Sequence, residues 1–184
     1  METSRRKAAQ PPAEGAGRLM TKREGWENRM DDRTFRRAMG KFATGVTVVT
    51  TEFQGEAKGM TANAFMSVSL DPKLVVVSIG HKARMHDIVK QTGKFAVNIL
   101  RRDQEELSRL FAGQLKEERP VSFDWVNGHP ILPEALANIL CNVHSSHVAG
   151  DHTLYFGEVT DIFMKDEPGD PLLFFEGKYR SIGQ

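Results

Sequence analysis

Apolar and polar residues alternate along much of this chain, and the run Gly59 to Ile79 (GMTANAFMSVSLDPKLVVVSI) organises the rest. Alternate side chains of a β-strand point to opposite faces. Over Thr61 to Leu70 this sets Thr61, Asn63, Phe65, Ser67 and Ser69 on one face and Ala62, Ala64, Met66, Val68 and Leu70 on the other. The second face is small and apolar and is expected to face the core. The first is polar apart from one aromatic, which suits either a solvated hairpin face or a ligand face. Asp71-Pro72 signals a turn, and Leu74 to Ile79 is an apolar run of the kind buried on both sides.

The remaining segments follow the same logic. Asp31 or Asp32 caps a helix to about Lys41, with Phe35, Met39 and Phe42 as its apolar stripe. Ala43 to Thr51 (ATGVTVVTT) is a strand by its Val and Thr content, with Gly45 marking a bulge or a close backbone approach. Met85 to Gln91 is a short helix ended by Gly93, and Phe95 to Leu100 is a strand. Asp103 and Glu106 have capping-box spacing and open a helix through Ala112, with Leu107, Leu110 and Phe111 as its stripe. Residues 113–122 form a charged loop and Trp125 to Pro133 a turn-rich link. Ala135 to Ser146, His152 to Phe163 and Leu172 to Phe175 complete the strands. Six or seven strands with two or three helices and short links predict a mainly β protein, an antiparallel barrel with peripheral helices.

Composition narrows the class. The chain has 184 residues, so one domain plus a tail is expected. Residues 1–29 contain one aromatic and no β-branched residue beyond Thr3 and Thr21, and they read as a disordered extension before a domain over 30–184. Met20 and Met30 both precede the first patterned segment and are candidate internal starts. A net charge of +1 provides no strong field for nucleic acid or an anionic membrane. A single cysteine, Cys141, allows no intrachain disulfide, and no apolar run approaches a membrane span of about 20 residues. A soluble cytoplasmic protein is expected.

Candidate chemistry is sparse. No GxGxxG after a strand, no Walker-type phosphate loop, no HExxH and no GxSxG occurs. His144, His147 and His152 cluster in sequence without the partners that a zinc site needs, so no metal is expected. Cys141 shares a face with Ala137, Ile139 and Val143, as a small core residue would. His81, Lys82, Arg84 and His86 gather at a helix start. This is either a solvated basic loop or a turn suited to phosphate.

Five segments in order carry a resemblance: ATGVTVVTT, GMTANAFMSVSLDPKLVVVSI, FAVNIL, GDHTLYFGEV and PLLFFEGKYRSIG. Together, over about Phe35 to Gly183, the chain resembles the flavin reductase-like family with an FMN-binding split barrel. Its members include the short reductase components of two-component flavin monooxygenases, such as the one acting on 4-hydroxyphenylacetate. The resemblance implies a homodimeric antiparallel split β-barrel with flavin held between subunits. It also implies a hydride passed from NADH or NADPH to FMN, with FAD possible, and reduced flavin diffusing to a monooxygenase partner.

Residue by residue, the resemblance sets Thr44, Gly45, Val46 and Thr47 along the flavin, with Gly45 letting the backbone approach the ring. Thr61, Ala62 and Asn63 meet the ring edge and ribityl chain, and Ser67 and Ser69 continue that face. His152 positions the nicotinamide, while Tyr179 and Arg180 close the site. Many members carry Ser-x-Thr ahead of the helix before FAVN, where this chain has Ala83 and Met85. Lys82 and Arg84 could replace those hydroxyls with charge-assisted bonds to the flavin phosphate. Two other roles share the fold: an electron-transfer flavoprotein that retains FMN, and a non-enzymatic flavin-binding module.

Overall fold

The computed structural model describes residues 30–115, 119–165 and 169–182. The extension expected over 1–29 lies outside them. In chain order the elements are α1 (Asp32–Met39), β1 (Thr44–Gly45), β2 (Thr47–Phe53), β3 (Glu56–Ala62), β4 (Phe65–Leu70), β5 (Lys73–Gly80), α2 (Arg84–Thr92) and β6 (Lys94–Ile99). They continue as α3 (Glu105–Phe111), β7 (Asp124–Val126), β8 (His129–Ile131), β9 (Ala137–Ala149), β10 (His152–Met164), β11 (Leu173–Phe175) and β12 (Lys178–Arg180). The count exceeds the expected six or seven because kinks and short hairpins divide the apolar runs.

Seven strands form one antiparallel sheet in the order β3-β2-β6-β9-β10-β5-β4. Its two edges, β3 and β4, are consecutive in the chain and separated only by Asn63 and Ala64. Two residues span roughly 7 Å when extended, so the sheet has to curl until its edges meet. Glu56 to Leu70 thus behaves as one long strand with a kink. Its first half pairs with β2 (Thr47 opposite Ala62), and its second half pairs with β5 (Phe65 opposite Val77). No ladder joins β3 to β4, so the barrel is split there. A second sheet, β1-β11-β12, and the β7-β8 hairpin pack outside it.

The barrel interior is filled by Val49, Val77, Phe95, Val97, Cys141 and Tyr155, with Met85 and Val89 of α2 closing it. β2 shows why its sequence lacks a polar face: Val49 enters this core while Val48, pointing the other way, joins a second core with Val46, Leu100, Leu132 and Leu172. Gly157 is required in β10, because a Cβ there would lie 2.5 Å from the Phe95 ring and 2.8 Å from Cys141 Cβ. The central polar residue is Asn98, fully buried. Its amide donates to Val48 O and Thr50 Oγ1, and its oxygen accepts from Leu132 N–H and the Asn138 amide.

Three expectations are corrected. The face Ala62, Ala64, Met66, Val68, Leu70 is not one core face. The kink at Asn63-Ala64 shifts the alternation by one residue, so Ala62 and Phe65 pack on the barrel core while Met66, Val68 and Leu70 are 60%, 42% and 87% exposed. The α1 stripe is likewise uncovered, with Phe35, Met39 and Phe42 all more than half exposed. Asp103 does not cap α3. Its carboxylate binds the Arg101 guanidinium, while around the 3-10 turn Gln104 Oε1 accepts from Arg101 N–H and Gln104 N–H donates to the Arg101 carbonyl. The cap of α1 is as expected, Asp31 accepting from Thr34 N–H.

Candidate functional site

The open seam defines the site. The β4–β5 register continues as far as Ser78 N–H donating to Ala64 O. Carried two residues further, it would set Ala62 opposite Gly80, but the chain leaves β5 there to join β2. Thr61, Ala62 and Asn63 therefore stand beside the gap. Thr47 faces it from β2, donating its hydroxyl to Ala62 O at 2.7 Å. Gly80 and His152, direct partners across β5 and β10, face it from the other side.

Two features next to the seam are unexplained by the chain's own packing. Thr44 Oγ1 is buried and has no hydrogen-bond partner, and an orphaned buried hydroxyl costs about 1–3 kcal/mol. A Cβ built on Gly45 would meet nothing within 4 Å. Neither contacts nor an unusual backbone angle demands glycine at this exposed position. An acceptor-rich planar ligand lying along Thr44–Thr47 would satisfy the hydroxyl and use the bare backbone, so the residues present fit a flavin.

At the far side of the seam the loop after β5 carries His81 and Lys82, and Arg84 opens α2; all three are exposed. The N-cap of α2 is Ala83, which offers no side-chain cap, while Met85 is buried in the barrel core. The helix thus begins with first-turn amides that no side chain caps and two cations close by. His152 is half exposed, and its Nδ1 lies 2.7 Å from Asp151 Oδ1. That bond holds the Asp151 carboxyl below the usual carboxylate range. The His152 Nε2 lies over Gly80, 3.4 Å from where a Cβ would sit.

Beneath this loop the buried Thr153 hydroxyl lies 3.1 Å from both His81 Nε2 and His86 Nε2. A hydroxyl has one proton. His86 Nδ1 bonds Asp87 Oδ1 at 2.9 Å. The Thr153 hydroxyl can donate to only one of the two rings and accepts from the other. The network ties the loop after β5 and the start of α2 to β10.

A sequence profile of the flavin reductase like domain matches residues 39–183. An NADH-dependent flavin reductase from Rhodococcus sp. is 48% identical over 150 residues, covering 80% of this chain and 84% of that protein. The reductase component of 4-hydroxyphenylacetate 3-monooxygenase from Thermus thermophilus is 38% identical, covering 80% and 95%. The solved structure of the flavin reductase PheA2 in its native state superimposes with a TM-score of 0.81 at 59% identity, covering 84% of this chain and all of that one. The chain belongs to the flavin reductase-like family.

Within this flavin reductase-like domain the structure groups most of the residues singled out from the sequence and separates others. Thr44, Gly45, Val46 and Thr47 run from β1 into β2, with Val46 buried in the second core. Thr61 donates to Ser108 O at 2.6 Å, and Ser108 Oγ lies 2.9 Å from Tyr179 Oη. Tyr179 is also covered by the Arg109 guanidinium, 5.1 Å from its ring centre. Its hydroxyl therefore ties β12 to α3. Arg180 is exposed beside it. Ser69 departs from the expected polar face, since its hydroxyl contacts the backbone of Asp71 and closes the turn. Ser67 lies opposite Val75, two residues along β4 from the seam end at Phe65. Ser108 was missed because one serine within an apolar helix stripe carries no pattern. Thr153 was missed because its role needs two histidines from another element. Among the described residues no group of three or more His, Cys, Asp or Glu could hold a metal, and no helix is long and apolar enough to cross a membrane.

Proposed function

We propose that this protein is an NADH-dependent flavin reductase that takes FMN or FAD and supplies it, reduced, to the oxygenase half of a two-component monooxygenase. The observation that carries the reading is the open seam with an orphaned hydroxyl and a bare glycine beside it, in a chain of this family. Bound flavin supplies the hydride acceptor, and the chain's own work is to bind and orient. Thr44 to Thr47 and Thr61 to Asn63 line the flavin. Lys82 and Arg84, with the uncapped amides of α2, take its phosphate. His152, exposed beside the seam, would hold the nicotinamide against the flavin, whose ring would supply the hydride acceptor. Arg180 flanks the site beside Tyr179.

The working unit in this reading is a homodimer. Met66, Val68 and Leu70 form an exposed apolar row on β4, an edge strand of the large sheet. An apolar edge with unpaired backbone groups is a surface that monomers avoid. Leu70→Asp is expected to yield a monomer by light scattering with weakened FMN binding; a monomer that keeps micromolar affinity for FMN would refute the shared site. A cytoplasmic location fits a lone cysteine kept as a buried thiol.

Steady-state NADH oxidation with added free FMN tests the activity. Turnover that saturates with free flavin supports it. Tight FMN without NADH oxidation would instead indicate an electron carrier or a storage module.

A further inference from the structure

Strand β10 is fastened to the turn and helix that follow β5. His81 N–H donates to Asp151 O at 3.0 Å, and the Tyr155 hydroxyl donates to His86 O at 3.0 Å. Between these two bonds the Thr153 hydroxyl lies 3.1 Å from Nε2 of both His81 and His86. His81 precedes α2 and His86 lies in its first turn, so this one oxygen grips both ends of the turn. The two imidazoles meet edge to face with centroids 5.0 Å apart and close the cluster.

Lys82 and Arg84 stand between the two histidines. Among the described residues neither has an ion pair of its own, so the backbone that carries them sets where they stand. Thr153 is buried and pairs with Ile79 and Val148. Its place in the sheet does not call for an oxygen, because Val has the same branched shape. What the oxygen adds is the grip on the two rings.

We propose that Thr153 is a positioning residue for the flavin phosphate: by gripping His81 and His86 it fixes the turn that presents Lys82 and Arg84. The inference rests on the flavin reductase reading and on the phosphate placement given with it. Hydrogen bonds weaken steeply when donors leave their geometry, so a turn held less firmly presents the same cations less well. Thr44 to Thr47 and Thr61 to Asn63, which line the ring, lie on other elements, outside the Thr153 cluster. The hydroxyl should therefore matter to FMN and not to riboflavin.

The test is equilibrium binding of FMN and riboflavin to the full chain for wild type, Thr153→Val and Thr153→Ser. Thr153→Val should weaken FMN about three- to tenfold, part of the roughly ten- to a hundredfold carried by one charge-assisted bond, and leave riboflavin within about twofold. Thr153→Ser keeps the oxygen and should bind both ligands as wild type. His81→Ala opens the same grip from an exposed position, without entering the core. It should reproduce the FMN-selective loss, and combining it with Thr153→Val should add little, because the two act through one contact. Amide hydrogen exchange of the ligand-free protein gives a readout without flavin. Residues 81–86 should exchange faster in Thr153→Val and as wild type in Thr153→Ser. Equal weakening of FMN and riboflavin, a Ser variant as weak as Val, losses that multiply in the double variant, or no change in FMN binding or in exchange would each overturn the proposal. Wild-type NADH oxidation with free FMN is measured separately. Its absence would sink the flavin reductase reading, while the comparison of FMN with riboflavin still judges Thr153.

Discussion

Replacing Tyr179 by Phe removes one oxygen from a chain of contacts that links three elements. Thr61 of β3 donates to Ser108 O, and Ser108 Oγ meets Tyr179 Oη at 2.9 Å. Ser108 is fully buried, so loss of the phenol leaves its hydroxyl without that partner and out of reach of water. A buried unsatisfied hydroxyl costs about 1–3 kcal/mol, and in a chain of this size each kcal/mol lowers Tm by about 2–4 °C. Tyr179→Phe is therefore expected to melt roughly 2–12 °C below wild type. Ser108→Ala leaves the half-buried phenol able to turn toward water and should cost less, about 0.5–1.5 kcal/mol. In the double variant neither partner is orphaned, so a double-mutant cycle should return a coupling of about 0.5–2 kcal/mol. The ring still packs against Phe174, with centroids 5.4 Å apart, and under Arg109. The FMN dissociation constant of Tyr179→Phe should stay within about threefold of wild type. Unchanged stability, additive single variants, or a tenfold loss of FMN binding would each refute the view that this hydroxyl holds structure and does not hold flavin.

Three further outcomes are expected. His152→Ala should raise the KM for NADH and leave the FMN dissociation constant nearly unchanged, since the ring stands beside the seam on Asp151; joint loss of FMN and NADH would assign it to the flavin. Arg84→Ala should weaken FMN about ten- to a hundredfold while sparing riboflavin, the cost of one charge-assisted bond of about 1.5–3 kcal/mol; an equal loss for both ligands would place the loop away from phosphate. Burial pushes the Cys141 thiol up to about 12. An unfolded thiol titrates near ~8.5, so the native chain binds the extra proton between these values. Its contribution to stability is complete below ~8.5 and falls as pH rises toward the native value. At pH 8 the folded protein should resist iodoacetamide and react once unfolded; rapid native alkylation, read by mass spectrometry, would contradict the burial.

Local pattern alone determined much of this protein. The strands around Val49, Val77 and Val97, the helix closed by Gly93 with φ +64°, and the Asp31 cap all follow from side-chain period and from termini whose partners lie within four residues. The ordered segments that carry the family likeness were legible for the same reason, and they brought Thr44 to Thr47, Thr61 to Asn63 and His152 into view. Tertiary structure decided what depends on strands far apart in sequence. Whether Met66 or Phe65 faces inward turned on a kink at Asn63-Ala64, and that kink exists because the chain must step from β2 to β5 to close the barrel. The step also opens the seam. Ser108 and Thr153 gained their roles only when hydroxyls met partners 71 and 72 residues away. Alternation reports the nearest neighbours of a strand, whereas burial and orphaned hydroxyls are set by which sheet edges close on each other.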